Sequence, residues 1–277
     1  MPCESFFKSR MPEKIKDILR PYYHMVLLVK AIFEDGVFDP DLTYQSHETT
    51  WEKRIVSQQG VEGLMNGSRI EQRDKFIGQF IPEGSRVLDL GCGDGRFLQY
   101  LKNHRRCAVA GLDISGTAVM HAKNRGVEVY LSNFEEPDDP RLHEMAQREW
   151  DCVVTQHALM AFSDPERIVS AFKNNSKFQL HAVTNSGLWF DRLRVLCGRF
   201  MVQPAAKQSW SKEIALQPGL NKRFWTITDF HTWSRCLGFN CEVLGYRVHA
   251  PYSLDFTDKV FLGTWRAQAA LYRLTPR

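Results

Sequence analysis

The chain has 277 residues, 43% of them hydrophobic and 25% charged, and its formal net charge is +4. This length and composition fit one globular domain of the larger α/β kind with an appendage. The small net charge argues against a protein that binds nucleic acid through a generally basic surface, so no nucleic-acid partner is expected.

The cysteine pattern and the apolar runs indicate a cytoplasmic protein. The seven cysteines include no CxxC pair and have no paired zinc-like spacing, which indicates reduced thiols and no metal site. The longest apolar run, residues 25–33, contains Lys30 and is too short to span a bilayer. The N-terminus lacks a signal-peptide pattern. We therefore expect no transmembrane segment.

Residues 1–78 are predicted to form an N-terminal helical extension or cap, followed by a domain of residues 79–277. From the first strand of that domain onward, short apolar strand patterns alternate with helical ones. The predicted strands are 87–90, 107–112, 127–131, 152–155 and 178–184, and the predicted helices between and after them are 96–103, 116–124 and 165–172. An acidic connection, 135–139, is expected between the third and fourth strands.

The C-terminal part is predicted to complete the same sheet. A helix over 229–237, capped by Thr228, precedes two strands, 241–248 and 267–274, which are expected to pair antiparallel. Strands that alternate with short helices predict a doubly wound, Rossmann-like sheet, mainly parallel and seven-stranded, with helices on both faces.

The most informative motif is the glycine loop after the first predicted strand. Gly91, Gly93 and Gly95 follow the strand at alternate positions, and a helix begins directly after them. This arrangement brings a ligand against bare backbone at a helix N-terminus. Asp89, two residues before the first glycine, would repel a pyrophosphate, and the spacing is GxGxG instead of the dinucleotide GxGxxG. The loop thus favours a nucleotide-like cofactor with a positive charge.

A second acid supports an adenosine-containing cofactor. Asp113 ends the second predicted strand, where an acid accepts hydrogen bonds from ribose hydroxyls in doubly wound folds. Ile114, which follows it, is expected to contact the same cofactor. A solvated acid at a strand end is the alternative interpretation of Asp113.

The segment Asp89-Leu-Gly-Cys-Gly-Asp-Gly95 resembles the first motif of the class I S-adenosylmethionine-dependent methyltransferases. The resemblance implies S-adenosylmethionine as cofactor, held by Asp89, Gly91, Cys92 and Gly93. It places Asn133 at the adenine edge, where the family commonly has an acid. Phe134 lies against the adenine or belongs to the core. Gln156, after the fourth strand, faces the cofactor.

Within these methyltransferases the chain is most similar to the family of the methionine biosynthesis protein MetW. The likeness covers roughly residues 85–245, and the first 75 or so residues have no counterpart in it. It supports the fold and the cofactor and says little about the acceptor. The segments that carry it are 88–95, 185–189, 192–199 and 224–230.

His157 is the candidate catalytic residue. A histidine in the loop that faces the acceptor can act as a general base when the acceptor is a hydroxyl or a protonated amine. Alternatively, it only makes hydrogen bonds within the loop or holds the substrate. An oxyanion acceptor would need no base.

A basic segment, 187–225, contains seven Lys or Arg against two acids and interrupts the domain after the fifth strand. It is interpreted as a substrate lid, with Trp189, Arg192 and Arg194 from this segment joined by Tyr44 and Trp51 from the N-terminal part. The guanidinium group of arginine donates paired hydrogen bonds to the oxygens of carboxylate or phosphate groups, so the lid is compatible with an anionic acceptor. A helical brace with solvated charges is the alternative.

Together these features predict a methyltransferase that acts on a small molecule. The expected acceptor atom is an oxygen of a hydroxyl, carboxylate, phosphonate or phosphate in a natural product or sugar. The alternative is a MetW-like accessory subunit that binds the cofactor and supports a partner enzyme. A nicotinamide-dependent oxidoreductase is disfavoured by the glycine spacing and by Asp89. The oligomeric state is left open.

Overall fold

The structure, a computed structural model, describes residues 72–133, 136–196, 225–248, 254–257 and 263–277. The predicted helical extension up to residue 71 and most of the basic segment lie outside these residues. The helices are α1 (Gln72–Gly78), α2 (Arg96–Arg105), α3 (Gly116–Asn124), α4 (Pro140–Gln147), α5 (Pro165–Ala171), α6 (Trp189–Leu196), α7 (Ile227–Cys236) and α8 (Gly263–Arg266). The strands are β1 (Arg86–Leu90), β2 (Ala108–Asp113), β3 (Glu128–Leu131), β4 (Trp150–Gln156), β5 (Ser176–Thr184), β6 (Phe239–Val248), β7 (Leu254–Thr257) and β8 (Ala267–Pro276).

The strands form one sheet in the order β3-β2-β1-β4-β5-β8-β6-β7. The first five strands are parallel to one another, and β8 is antiparallel to both β5 and β6. This confirms the doubly wound, mainly parallel sheet, with the strand order reversing between β1 and β4. A short strand that was not predicted, β7, pairs antiparallel with β6 at the edge.

The register brings the predicted site residues to one edge of the sheet. Asp89 pairs with Gly111 on β2 and with Val154 on β4, while Gln156 pairs with Ala182 on β5. These positions lie at the carboxyl ends of parallel strands, on either side of the point where the order reverses. Ligands of open α/β sheets bind at this place.

Helices cover both faces of the sheet because successive strand residues point to opposite sides. On one face, Phe230 of α7 stacks on Tyr272 of β8 with ring centroids 4.2 Å apart. On the other, Ile77 of α1 and Phe97 of α2 pack against Val87 of β1. We refer to this second side as the α1 face.

Two helices depart from the predictions. The acidic connection after β3 leads into a helix, α4, which was not predicted; Asp139 caps it by accepting a hydrogen bond from the Leu142 N–H, and Pro140 occupies its first turn. The predicted cap of α7, Thr228, is wrong. Thr226 is the cap, because its hydroxyl accepts from the Asp229 N–H while the Asp229 carboxylate accepts from the Thr226 N–H.

Within the described ranges, none of the helices has the length and apolar character needed to cross a bilayer.

Candidate functional site

The glycine loop after β1 depends on backbone conformations that favour glycine. Gly91, Gly93 and Gly95 have φ values of 80°, 56° and 73°. The N–H groups of Gly91 and Cys92 both donate to the carbonyl of Leu112, at 2.8 and 3.1 Å. A Cβ on Gly91 would lie 2.5 Å from the Cβ of Ala158. The loop therefore packs tightly against the segment after β4.

An ion-pair cluster that the sequence analysis missed holds the end of this loop. The buried Asp94 carboxylate pairs with Arg96 at 3.0 Å and with the buried guanidinium of Arg125 at 3.2 Å. Arg125 also donates to the Asp94 carbonyl at 2.9 Å. The cluster joins the loop to the C-terminal end of α3. No local pattern marks the partnership, since the two residues are far apart in the sequence.

Asp113 links the glycine loop to the start of α3. Its buried carboxylate accepts hydrogen bonds from the Gly93 N–H at 2.7 Å and from the Ser115 N–H at 2.9 Å. Asp113, which is predicted to bind the ribose, thus also fixes Gly93, the middle glycine of the loop. Ile114, beside it, is half-buried at the carboxyl end of β2.

Cys92 is packed into the loop. A Cβ on Gly111 of β2 would lie 2.7 Å from the Sγ of Cys92. Because Gly111 has no side chain, there is room for the Cys92 thiol. Burial, followed by the negative charges of Asp113 and Asp89, raises the pKa of this thiol well above its usual range. The side chain is therefore a neutral packing element, and the backbone of this residue is what can face a ligand.

Asp89 is the most unusual acid of the site. It is buried, and its Oδ1 has no hydrogen-bond partner among the described residues. Burial raises the pKa of its carboxyl to about 8, with further contributions from Asp113 and Asp74, while Arg73 acts in the opposite direction. A buried carboxyl group with an unpaired oxygen is stabilised in its charged form by a nearby cation.

The carboxyl end of β3 is held by the cap of α4. The Asn133 N–H and the Ser132 hydroxyl both donate to the Asp139 carboxylate, at 2.9 Å each. The Asn133 side-chain amide donates to Glu136 at 2.8 Å. Asn133 therefore lies at the predicted edge of the sheet with its backbone fixed. Phe134 lies outside the described residues.

Gln156 and His157 end β4 close to the glycine loop. His157 has a left-handed φ of 58°, which is uncommon for a residue with a side chain. Its N–H donates to the Ala182 carbonyl at 3.0 Å, which holds the turn. The Oε1 of Gln156 and the Nε2 of His157 are buried and have no hydrogen-bond partner within the described ranges.

Electrostatics keep the His157 ring neutral. Burial, followed by the positive charges of Arg73 and Arg247, lowers the pKa of His157 to about 3. A ring with this pKa is a weak proton acceptor at neutral pH. The histidine therefore suits hydrogen bonding better than proton abstraction.

A buried hydrogen-bond chain supports the end of β4, and the sequence analysis missed it. The Gln179 amide donates to the Val169 carbonyl at 2.9 Å, so its Oε1 is left to accept from Nε2 of His181 at 3.1 Å. This assignment leaves Nδ1 of His181 to accept from the Thr155 hydroxyl at 2.8 Å. The chain connects β4, β5 and α5 directly below Gln156.

The carboxyl end of β5 is tied to the start of β8. The buried Asn185 amide donates to the carbonyls of Thr264 and Ala267, at 3.2 and 2.7 Å, and accepts from the Gly187 N–H at 2.9 Å. Arg192 donates from Nε to the Gly187 carbonyl at 2.7 Å, and its guanidinium lies 4.7 Å from the ring centroid of Trp265.

Only part of the predicted lid can be placed. Trp189 begins α6 and is half-buried. Tyr44, Trp51 and the side chain of Arg194 lie outside what the structure describes. In the described part of the chain, no three His, Cys, Asp or Glu side chains come together in a way that could hold a metal ion.

Comparison with known proteins agrees with this architecture. Residues 72–274 match the model of a family described as methionine biosynthesis protein MetW. The ubiquinone biosynthesis O-methyltransferase of Coxiella burnetii is 34% identical over 99 residues, which are 35% of this chain and 42% of that protein. The chain thus matches less than half the length of these curated relatives.

Solved structures share the fold at low sequence identity. An S-adenosylmethionine-dependent methyltransferase of Thermotoga maritima, a possible histamine N-methyltransferase, is 18% identical with a TM-score of 0.53, covering 82% of this chain and 99% of that one. A TehB-like methyltransferase of Corynebacterium glutamicum is 15% identical with a TM-score of 0.52, covering 83% and 98%. The fold is therefore that of the class I methyltransferases.

Proposed function

The chain belongs to the family of the methionine biosynthesis protein MetW, and we propose that it binds S-adenosylmethionine and transfers the methyl group to a small molecule. One observation carries the proposal. Asp89, a buried carboxyl group with an unpaired oxygen, lies at the start of a glycine loop at the point where the strand order reverses. A zwitterionic nucleoside matches this combination, because its cationic groups suit the acid and its carboxylate suits the bare backbone at a helix N-terminus.

The cofactor contacts are assigned to the residues at the carboxyl ends of β1 to β4. Asp89 faces the charged part of the cofactor, and the backbone of Gly91, Cys92 and Gly93 lies against it. Asp113 and Ile114 hold the ribose, and Asn133 and Phe134 contact the adenine. Gln156 contacts the cofactor on the side that faces the acceptor. The cofactor supplies a sulfonium-activated methyl group, and the protein contributes positioning and exclusion of water.

The acceptor is proposed to be an oxygen atom of a small molecule. One relative, the protein of C. burnetii, is named as an O-methyltransferase, and this supports an oxygen acceptor. Tyr44, Trp51, Trp189, Arg192 and Arg194 are proposed to line the acceptor side. Because Arg192 already binds the Gly187 carbonyl and stacks on Trp265, it also anchors the start of α6.

His157 is proposed to touch the acceptor as the catalytic residue. Its neutral ring and unpaired Nε2 favour a hydrogen bond that orients the acceptor, instead of removal of a proton from it. Replacing His157 with Gln keeps a hydrogen-bonding side chain, so it should retain more turnover than replacement with Ala. Equal turnover in the two variants would speak against an orienting hydrogen bond.

The remaining proposals concern organisation. We propose an N-terminal cap over residues 1–78, a methyltransferase domain over 79–277 with 187–225 as its lid, and a cytoplasmic location without nucleic-acid partners. All five cysteines among the described residues are free thiols.

A turnover assay tests the proposed activity. The full chain is incubated with S-adenosylmethionine carrying a deuterated methyl group and with a metabolite extract, and S-adenosylhomocysteine and labelled products are measured by mass spectrometry. We expect both to form, and both to decrease strongly in the Asp89→Asn variant. If the cofactor binds in calorimetry but neither product forms, the accessory-subunit function, which the family membership also supports, replaces the enzymatic one.

A further inference from the structure

Six buried side-chain atoms among the described residues have no hydrogen-bond partner. Four of them belong to residues near the carboxyl edge of the sheet, namely Asp89, Gln156, His157 and Gln268. The proposed function uses the first three and gives no role to the Oε1 of Gln268. Buried polar atoms in native proteins almost always have partners, so this carbonyl oxygen calls for an explanation.

Gln268 lies at the carboxyl edge because β8 runs antiparallel to β5. Thr184, the last residue of β5, pairs with Ala269, and the N–H of Asn185 donates to the Gln268 carbonyl at 2.8 Å. The backbone carbonyl of Gln268 is thus paired, while its side-chain oxygen is not. Since β5 separates β8 from β4, Gln268 lies on the far side of β5 from the proposed cofactor contacts.

A bulge in β8 sets the position of Gln268. On β6, Arg247 and Val248 are consecutive, but they pair with Ala269 and Ala267, so Gln268 is an extra residue of β8. Ala267 and Ala269 accordingly belong to core clusters on opposite faces of the sheet, whereas residues two apart in a regular strand share a face. Bulges next to active sites often redirect a side chain. The extra residue is not needed for the pairing of β8 with β6, which favours a role of its side chain.

The surroundings of Gln268 connect it with the proposed acceptor side. The side-chain amide of Asn185 donates to the Ala267 carbonyl at 2.7 Å, which ties the start of β8 to the end of β5. Trp265 precedes Gln268 by three residues, and the guanidinium of Arg192 lies 4.7 Å from its ring centroid. Arg192 is one of the residues proposed to line the acceptor side. Gln268 therefore belongs to the segment next to that side.

We propose, on the premise that the chain is a methyltransferase, that Gln268 determines acceptor specificity: its Oε1 accepts a hydrogen bond from a hydroxyl, amide N–H or ammonium group of the acceptor. An amide oxygen only accepts hydrogen bonds, so an ether or a carboxylate cannot pair with it. His157 ends β4, and β4 and β8 are two strand spacings apart, together about 10 Å. The donor that Gln268 recognises is therefore a second polar group of the acceptor, distinct from the methylated oxygen near His157.

This hydrogen bond would select between acceptors by what happens when it is missing. An acceptor with the donor pairs the buried oxygen of Gln268. An acceptor without the donor leaves that oxygen buried and unpaired, and a site of this kind rejects such an analogue. The contribution of Gln268 is to binding and orientation, and no covalent bond changes at this residue.

The metabolite-extract assay of the proposed function tests the subsite with one substitution. Gln268→Met keeps the length of the side chain and removes its amide. The full-length wild type and the variant are incubated with deuterium-labelled S-adenosylmethionine and limiting amounts of the same extract, so that initial rates report kcat/KM for the acceptor. The rate should fall about tenfold in the variant, as expected for one lost hydrogen bond, while the affinity for S-adenosylhomocysteine in calorimetry stays unchanged. Each labelled product that is lost should retain a hydroxyl, amide N–H or ammonium group.

Stability measurements separate this role from a structural one. Gln268→Met removes an unpaired buried carbonyl, so the midpoint of urea unfolding should stay the same or rise. Gln179→Met is the matched comparison for stability: the Gln179 amide donates to Val169 and accepts from His181, so its loss should lower the midpoint. Gln268→Glu leaves only acceptor oxygens at the position and should retain more of the methylation rate than Gln268→Met.

The possible outcomes distinguish the subsite from the proposed function. The subsite is refuted if Gln268→Met methylates the extract at the wild-type rate, if its unfolding midpoint falls as far as that of Gln179→Met, or if Gln268→Glu is as slow as Gln268→Met. If the wild type itself forms no labelled product, the proposed function fails and the subsite fails with it. An active wild type together with an equally active Gln268→Met variant overturns the subsite alone.

Discussion

Asp89 combines a structural cost with a functional use. Folding raises the pKa of its carboxyl from 3.8 to about 8, so the unfolded chain ionises at a pH where the folded chain stays protonated. The stability that this acid contributes is present at low pH and is lost as the pH rises through about 8. The acid thus destabilises the ligand-free protein at neutral pH, in exchange for a site that attracts a cation.

We predict that Asp89→Asn stabilises the ligand-free protein at neutral pH and weakens S-adenosylmethionine binding on the order of 10- to 100-fold. Asparagine cannot ionise, so the substitution removes both the destabilisation of the ligand-free protein and the attraction for the cationic cofactor. The wild-type affinity should also rise with pH up to the pKa of about 8, with release of a proton on binding, because the charged acid is the binding form. Thermal unfolding and calorimetry across this pH range measure both effects. An affinity in the variant equal to that of the wild type would contradict the assignment.

Gly91 provides a second test at the scale of a single residue. Its φ of 80° and the closeness of Ala158 leave no room for a side chain, so Gly91→Ala should displace the loop and abolish detectable cofactor binding. Gly126→Ala is the matched control: it has a similar φ of 72°, but nothing lies within 4 Å of the added Cβ. The control should lose only the ~1–2 kcal/mol of the left-handed conformation and bind the cofactor normally. Urea unfolding and calorimetry distinguish them, and equal cofactor affinity in the two variants would rule out the tight contact.

The residues of the glycine motif could be predicted because their chemistry is local. The spacing of Gly91, Gly93 and Gly95 and the position of Asp89 depend only on a strand, a turn and a helix that follow one another. Arg125 could not be identified this way, because its partner Asp94 lies in a distant segment that meets it only in the folded protein. The left-handed turn at His157 likewise depends on its hydrogen bond to Ala182 of another strand.

Among the elements, α7 offers a direct check of its N-terminus. Thr226→Ala removes the hydroxyl that caps the helix and should cost about 1 kcal/mol of unfolding free energy. Thr228→Ala, two residues further into the helix, should change stability by no more than a few tenths of a kcal/mol, because an exposed threonine in the helix is replaced by a better helix former. Chemical denaturation of both variants measures the difference, and the reverse order of stabilities would move the cap back to the position predicted from sequence.

The hydrogen-bond chain below Gln156 is the element that links the core to the site. Thr155→Val keeps the shape of the side chain but leaves Nδ1 of His181 buried without a donor, which should cost ~1–3 kcal/mol. Thr155→Ser keeps the hydroxyl and should restore most of this stability. Denaturation together with steady-state kinetics tests the link to the site: Val should lower turnover more than Ser. A valine variant as stable as the serine variant would show that the bond contributes nothing.

The regular elements followed from their patterns more readily than the irregular ones did. Short apolar runs that alternate with helical patterns identified the five parallel strands. The helix α4 was missed because acidic residues precede it, although Asp139-Pro140 is a recognisable start signal. The cap of α7 was misplaced by two residues because two threonines compete in the sequence, and only the reciprocal bonds with Asp229 decide between them.

At the scale of the whole molecule, the sheet order explains why the site lies where it does. The strand order reverses between β1 and β4, and ligands of open α/β sheets bind at such a point, outside the carboxyl ends of the strands. The antiparallel β8 extends the sheet beyond β5 and carries β6 on its other side. The proposed cofactor contacts thus come from the ends of the parallel strands that lie next to one another in the sheet.

The central claim is that the glycine loop and Asp89 bind S-adenosylmethionine. A calorimetric titration of the full chain at about pH 8, with S-adenosylmethionine and in parallel with NADH, tests it most directly because it needs no acceptor. We expect saturable binding of S-adenosylmethionine to one site per chain, lost in Gly91→Ala and retained in Gly126→Ala, and no binding of NADH. Binding of NADH without binding of S-adenosylmethionine would contradict it.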